Sequence, residues 1–235
     1  MAYQYDWGLV VSGQYGRDIV QGLVATLEIS GLSIVFALIL GTLACVMRLS
    51  RVRVLDWLSR IYVEFFRNTP LLVQMFFWYF GTQPLFPHVV NHWLNHQEFF
   101  SVEFAWSVVA LSFYTGAFIA EDLRSGIFAI PKTQLEASRA CGLSFLQAMR
   151  YVVLPQAFRI IVPPLISQSL NLLKNSSLAM TLGVWELTAQ VRKIGDQGAH
   201  GVEAYTVATV IYLCLSLAMS FAVQWYNRRV SRVTR

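Results

Sequence analysis

The sequence predicts an all-α membrane protein with about five transmembrane helices. The 235-residue chain is 56% hydrophobic and only 13% charged, with mean hydropathy +0.51, too apolar for a water-soluble globule of this size. Its apolar runs approach or exceed the roughly 18 to 20 residues that a helix needs to cross hydrocarbon. None shows the alternation over ~10 residues that marks a membrane β-strand.

Apolar runs between polar flanks place spans near 19–47, 57–81, 103–122, 160–183 and 203–226. The first is preceded by MAYQYDWGLVVSGQYGRD, which lacks the basic lead-in and short apolar core of a signal peptide, so the span is expected to be retained. The second, DWLSRIYVEFFRNTPLLVQMFFWYF, is irregular. Arg60, Glu64 and Arg67 are spaced to pair along one helix face. Pro70 removes a backbone donor and disfavours helix at Thr69, so a kink or break is expected around Asn68 to Pro70. Counted from Trp57 at ~1.5 Å per residue, Arg67 lies roughly 15 Å deep; the competing reading is an arginine that snorkels to the inner interface.

The net charge of +5 raises the question of nucleic acid, and the positions of the basic residues answer it. Arg48, Arg51, Arg53 and Arg60 follow the first span. Arg124, Lys132, Arg139, Arg150 and Arg159 fill the central loop, and Arg228, Arg229, Arg232 and Arg235 form the tail. Short cytoplasmic loops collect Lys and Arg in this way. The loop 48–60, the central loop 123–159 and the tail are therefore expected inside, with the N-terminus and the loops 82–102 and 184–202 outside. Arg192 and Lys193 are the exceptions. No nucleic acid is expected as a partner, since no soluble domain carries a basic patch.

Cys45 and Cys214 fall in predicted spans and Cys141 in the central loop, a placement that suits no disulfide. His88, His92 and His96 recur every four residues, a spacing that could place three imidazoles on one helix face. Without a nearby Cys, and among Asn91, Asn95 and Gln97, they read as a polar loop, and no metal is expected. No internal repeat or low-complexity tract is present, so residues 1–235 are expected to form a single transmembrane domain.

The central loop carries the strongest motif. Glu136 and Ala137 are followed by Gly142, and nine residues later by Val152-Val153-Leu154-Pro155. This spacing resembles the EAA loop of ABC importer permeases, with Ser138 for the usual second Ala and Val152 for the usual Ile. FFRNTPLLVQMFFWYF, YTGAFIAEDLRSGIFAIPKTQLEASRACGL and SLNLLKNSSLAMTLGVWELT are similar to flanking segments of the polar amino acid subfamily, in wording nearest to glutamate and aspartate permeases. Asn68 and Thr133 each stand where Gly is usual.

The resemblance implies a bacterial inner-membrane subunit that pairs with itself or a sister permease. It also implies two ATP-binding cassette ATPase subunits and a periplasmic amino-acid-binding protein as partners. No G-x-x-x-x-G-K-[ST] phosphate loop occurs, so this chain is expected to bind no cofactor and to use ATP hydrolysed by its partner. It is not expected to be an enzyme: no H-E-x-x-H or G-x-S-x-G signature is present. The ATPase-coupling residues implied are Glu136, Ala137, Ser138, Gly142, Leu154 and Pro155.

Residues 133–140 and 144–152 are each expected to form a short helix, with Gly142 at positive φ between them. Pro155 is expected to end the second before the chain re-enters the membrane, and Pro163 and Pro164 to shape the next span's start. The competing reading is an amphipathic loop packed against the bundle's own underside.

Lys174 lies about 21 Å along the fourth span, and Asn175, Ser176 and Ser177 extend its polar patch. An ammonium facing lipid costs at least ~2.5 kcal/mol, so a pathway or partner role is expected. The competing reading is hydrogen-bonded helix packing. Arg67, Asn68, Thr69, Lys174, Asn175, Ser176 and Ser177 are thus the candidate substrate-pathway residues. Lys174 is expected to attract a carboxylate, Thr69 and Ser177 to donate hydrogen bonds, and Arg67 alternatively to be neutralised by Glu64. A self-contained secondary transporter is the rival function, but it predicts internal repeats and little use for a long cytoplasmic loop.

Fusions to a periplasm-active reporter should be active at residues 90 and 193 and silent at residue 140 and in the tail. Activity at 140 with silence at 90 would invert the topology.

Overall fold

The computed structural model describes residues 5–50, 52–82, 101–198 and 200–231. His88, His92 and His96 lie outside the described residues. All regular structure among the described residues is helical, as an apolar chain in lipid requires, because each helix satisfies its own backbone groups. The helices are α1 (Trp7–Val11), α2 (Gly13–Leu49), α3 (Arg53–Asn68), α4 (Leu71–Phe76), α5 (Val102–Phe128), α6 (Lys132–Ala140), α7 (Phe145–Ala148), α8 (Leu154–Asn175), α9 (Leu187–Gly198) and α10 (Gly201–Ser231). A widened π-turn follows α4 over Phe77–Gly81 and another follows α7 over Met149–Val153, and a tighter 3₁₀ turn extends α8 over Ser176–Leu182.

Four helical runs are long and apolar enough to cross a membrane: Gly13–Leu49, Val102–Phe128, Phe145–Leu182 and Gly201–Ala222. The expected span at 57–81 is divided at the expected place. α3 stops at Asn68, Pro70 precedes α4, and the apolar part that follows is the shorter Leu71–Gly81. Pro70 cannot continue a helix as a donor, but its carbonyl starts α4 by accepting the N–H of Gln74 at 3.1 Å.

The prolines further along behave otherwise than expected. Pro155 does not end the helix after Gly142, and Pro163 and Pro164 lie inside α8 rather than at a start. The run is continuous from Phe145 to Leu182. Just before Pro155 the ladder widens, Leu154 N–H reaching back five residues to the Met149 carbonyl. An extra residue in the turn relieves the ring-to-carbonyl conflict that proline creates in a regular helix.

Among the described residues, those within Met1–Val35, Thr69–Ser112 and Leu170–Ala218 form one compact unit. Its apolar centre is Val10, Ile19, Leu187, Val191, Ile194, Ala204 and Ala208, so α1, α2, α9 and α10 converge there. α2 meets α9 closely because Gly22 has no side chain: a Cβ there would sit 2.9 Å from Leu187 Cα. α4 packs on the Ser176–Leu182 turn. Lys193 Nζ is paired at 3.0 Å with Asp18, a residue only 4% exposed, and Arg192 stands 3.8 Å from Asp196. Both exceptions to the basic-residue pattern therefore have acidic neighbours.

The second unit comprises Phe36–Asn68, Phe113–Ser169 and the described part of Met219–Arg235. Here α2, α3 and α5 meet through small groups. Ala44, Val63 and Ala120 form a buried cluster, Ser59 Oγ donates to the Ala44 carbonyl at 2.7 Å, and Tyr62 Oη donates to the Phe113 carbonyl at 2.8 Å. Gly41 and Gly116 face each other across α2 and α5: a Cβ on Gly41 would lie 2.8 Å from the Gly116 carbonyl oxygen. Small residues at such crossings let helices gain the close packing that replaces hydrophobic driving force inside lipid.

Gly116→Leu should lower the thermal stability of the purified protein by about 1–3 kcal/mol, the usual cost of overpacking. Its Cβ would stand 2.8 Å from Tyr62 Oη. Gly31→Ala, where nothing lies within 4 Å, should be neutral or slightly stabilising. Equal melting temperatures for Gly116→Leu and wild type would remove the crossing from this account.

Candidate functional site

The loop between α5 and α8 owes its shape to backbone chemistry. Gly142 has φ +86°, a left-handed conformation that L side chains resist. Its N–H bonds the Arg139 carbonyl at 3.0 Å and Leu143 N–H the Ser138 carbonyl at 3.3 Å, the paired bonds of a Schellman end to α6. α7 then starts with a reciprocal cap: Ser144 Oγ accepts from Gln147 N at 3.3 Å while Gln147 Oε1 accepts from Ser144 N at 2.8 Å. The S-x-x-Q spacing was a readable signal for this start.

Glu136, Ala137, Gly142, Leu154 and Pro155 are exposed, whereas Ser138 is buried and donates to the Leu135 carbonyl at 2.7 Å. The loop rests on an apolar cluster of Ile130, Val153, Ala157 and Ile161, with Leu135 and Met149 packed against it. Phe145 and Leu146 point away from that support, at 49% and 78% exposure. The loop therefore has two unlike faces. One face packs inward, and the other presents Glu136 and Leu146 to whatever lies outside.

In the broken second segment the expected ion pairing is replaced. Arg60 binds Asp56, with Nη2 3.0 Å from Oδ2, and Glu64 Oε2 accepts from Asn68 Nδ2 at 2.9 Å. Arg67 lies over the Phe118 ring at 5.3 Å rather than against Glu64. A guanidinium over a ring face is an alternative way to hold charge near apolar surface. Asn68 Nδ2 also donates to the Glu64 carbonyl at 2.8 Å, closing the free end of α3, and Gln74 Nε2 donates to Thr69 Oγ1 at 2.6 Å.

A cavity of about 300 Å³ is lined by Lys174, Ser177, Thr188, Tyr205, Thr209 and Tyr212, together with Ala208. Two of the predicted pathway residues, Lys174 and Ser177, belong to it. Ser176 does not: it is fully buried and its Oγ donates to the Leu173 carbonyl at 2.8 Å, the packing role. Ser177 was expected to donate into the pathway, but its hydrogen goes to the Lys174 carbonyl at 2.7 Å. Five lining residues escaped the sequence reading, Thr188 on α9 and four on α10. Tyr205, Ala208, Thr209 and Tyr212 follow the i, i+3, i+4, i+7 rule on α10, a polar stripe hidden by the apolar average of that span.

Behind the cavity sits Glu186, fully buried. Its carboxylate accepts the N–H groups of Thr188 and Ala189 at 2.9 and 2.8 Å, capping α9, and the Tyr212 hydroxyl at 3.1 Å. Burial pushes its carboxyl above the usual carboxylate range, and these hydrogen bonds act in the opposite direction. The neighbouring donor, Leu187 N–H, is satisfied by Thr26 Oγ1 at 3.1 Å.

Known proteins share this arrangement of helices. Residues 20–232 match the family described as "Binding-protein-dependent transport system inner membrane component", and the chain belongs to that family. It is thus a multi-pass membrane component of a transport system. The chain is 33% identical over 237 residues to the glutamate/aspartate import permease protein GltJ of Escherichia coli (strain K12), covering 98% of this chain and 96% of that protein. It is 36% identical over 211 residues to the probable glutamine ABC transporter permease protein GlnM of Bacillus subtilis (strain 168), covering 90% and 92%. Among solved structures, an amino acid ABC transporter crystallised with histidines superposes with TM-score 0.84 at 29% identity, over 97% of this chain and all of that one.

Proposed function

We propose that the chain is the permease subunit of an ATP-binding-cassette importer that moves polar L-amino acids, with acidic or amide side chains, into the bacterial cytoplasm. The observation that carries the substrate reading is Lys174, an ammonium set at a hydroxyl-lined cavity inside a membrane-spanning run. The volume of about 300 Å³ falls at the lower end of small-molecule sites, roughly 300–1,000 Å³. A cation there attracts the carboxylate that every amino acid carries. Relatives whose names specify glutamate, aspartate or glutamine support the same class.

Lys174 is exposed on the single chain. Against lipid that exposure costs at least ~2.5 kcal/mol, so its open side faces a water-filled pathway closed by a second permease subunit, identical or sister. The N-terminus is periplasmic and the C-terminus cytoplasmic. A periplasmic amino-acid-binding protein delivers substrate to the outer side. Separate ATPase subunits dock at residues 133–155, where Glu136 offers a charge, Leu146 and Phe145 offer apolar contact, and Gly142 sets the angle between α6 and α7.

Two measurements on the reconstituted complex test this. Lys174→Gln should raise the apparent KM for amino-acid uptake about tenfold or more, the loss of one hydrogen bond to a charged group, with assembly intact. Unchanged KM and rate would return Lys174 to helix packing. Gly142→Asp costs about 1–2 kcal/mol in the turn, and Glu136→Lys reverses the exposed charge. Both should insert in the membrane yet lose most uptake and ATPase stimulation, and full activity in both would take the docking role away from the loop.

A further inference from the structure

Beyond a carboxylate site at Lys174, we infer that the hydroxyl lining of the same cavity is built to accept the substrate's α-ammonium, and that buried Glu186 is the positioning residue that sets its polarity. This inference rests on the reading of that cavity as the amino-acid pathway.

A hydroxyl can donate once and accept twice, so its role is decided by where its hydrogen goes. Both Glu186 oxygens accept amide N–H groups, which favours the charged form against the cost of burial; a carboxylate has no hydrogen to give, so the 3.1 Å contact with Tyr212 runs from tyrosine to carboxylate. Tyr212 has then spent its hydrogen. The 3.2 Å contact between Thr188 Oγ1 and Tyr212 Oη must therefore run from threonine to tyrosine, which spends the second hydrogen. Ser177 and Thr209 donate to the carbonyls of Lys174 and Tyr205, each at 2.7 Å. Four of the five lining hydroxyls, all but that of Tyr205, therefore have lone pairs but no hydrogen left to offer the space they enclose. Lys174, which can only donate, lines the same space.

An ammonium has three hydrogens and no lone pair, the complement of this wall, and an α-carboxylate is the complement of Lys174. One cavity thus offers the two halves of a zwitterion separately, whatever the side chain. Glu186 never touches the substrate. It reaches the cavity through Tyr212 and Thr188, and its two α9 amides and the tyrosine hydroxyl hold it in place. Were Glu186 neutral, Tyr212 could reverse its hydrogen and turn a donor toward the ammonium.

The test uses the complete transporter, with its ATPase subunits, in nanodiscs and without the binding protein. Direct binding of L-glutamate is compared with that of glutarate, the same diacid without the ammonium. Wild type should prefer glutamate by about tenfold or more, the scale of one hydrogen bond to a charged group. Tyr212→Phe, which keeps the ring packing, and Glu186→Gln should each cut that preference to about threefold or less while leaving glutarate binding unchanged. Lys174→Gln should weaken both ligands alike. Wild-type indifference between the ligands, or full preference retained in Tyr212→Phe, overturns the ammonium wall. If Glu186→Gln fails to assemble, Tyr212→Phe decides alone. Unaltered binding of both ligands in Lys174→Gln instead removes the cavity from the pathway, a separate failure.

Discussion

Within hydrocarbon no water is available to bond a stray backbone N–H or C=O, and each one left unmade costs several kcal/mol. The long helices of this protein meet that demand without help. The demand becomes specific where a helix breaks, since side chains must then supply what the ladder no longer does. At residues 68–70 the Asn68 amide takes the Glu64 carbonyl, and Gln74 donates to both the carbonyl and the hydroxyl of Thr69. At the end of Ser176–Leu182, Gly183 at φ +99° lets Val184 N–H reach the Ala179 carbonyl. Thr26 and Glu186 then receive the first three amides of α9. Polar residues gather at these breaks because the backbone requires them, and one of them, Glu186, also bonds Tyr212 of the candidate cavity.

Buried charge is handled with similar economy. Asp18 meets Lys193, and Glu203 accepts the Asp6 amide at 2.9 Å, tying the chain before α1 to α10. In both cases a group that would be costly alone holds together segments far apart in sequence. A buried carboxylate with a full set of donors is strongly directional, so it can orient neighbouring hydroxyls as well as stabilise itself.

The parts of this architecture that were legible in sequence are those determined within a few residues. Pro70 announced the break, the length of four of the five apolar runs announced helices long enough to cross a membrane, and Gly142 announced the turn between α6 and α7. What sequence obscured depends on distant partners or on averages. The helix passes through Pro155 because a π-turn just upstream makes room, and no residue type marks that. Glu64 lies four residues from Arg60 and from Asn68, and only packing shows that it binds the asparagine. The cavity combines residues from α8, α9 and α10, and Glu186 depends on Thr26, 160 positions away. Its most visible member in sequence, Lys174, was found because a charge inside a span is rare, whereas a tyrosine or threonine there is not.

The turn at Gly142 has a consequence for how such a protein changes partners over time. Its bend is set by one left-handed glycine, and its second helix is started by Ser144 and Gln147, which bond to each other. These three act on the loop's own backbone. Glu136, Phe145 and Leu146, also exposed, make none of these bonds. Shape and address are therefore written in different letters. A lineage could rewrite the exposed side chains one after another while the hinge beneath them stays the same.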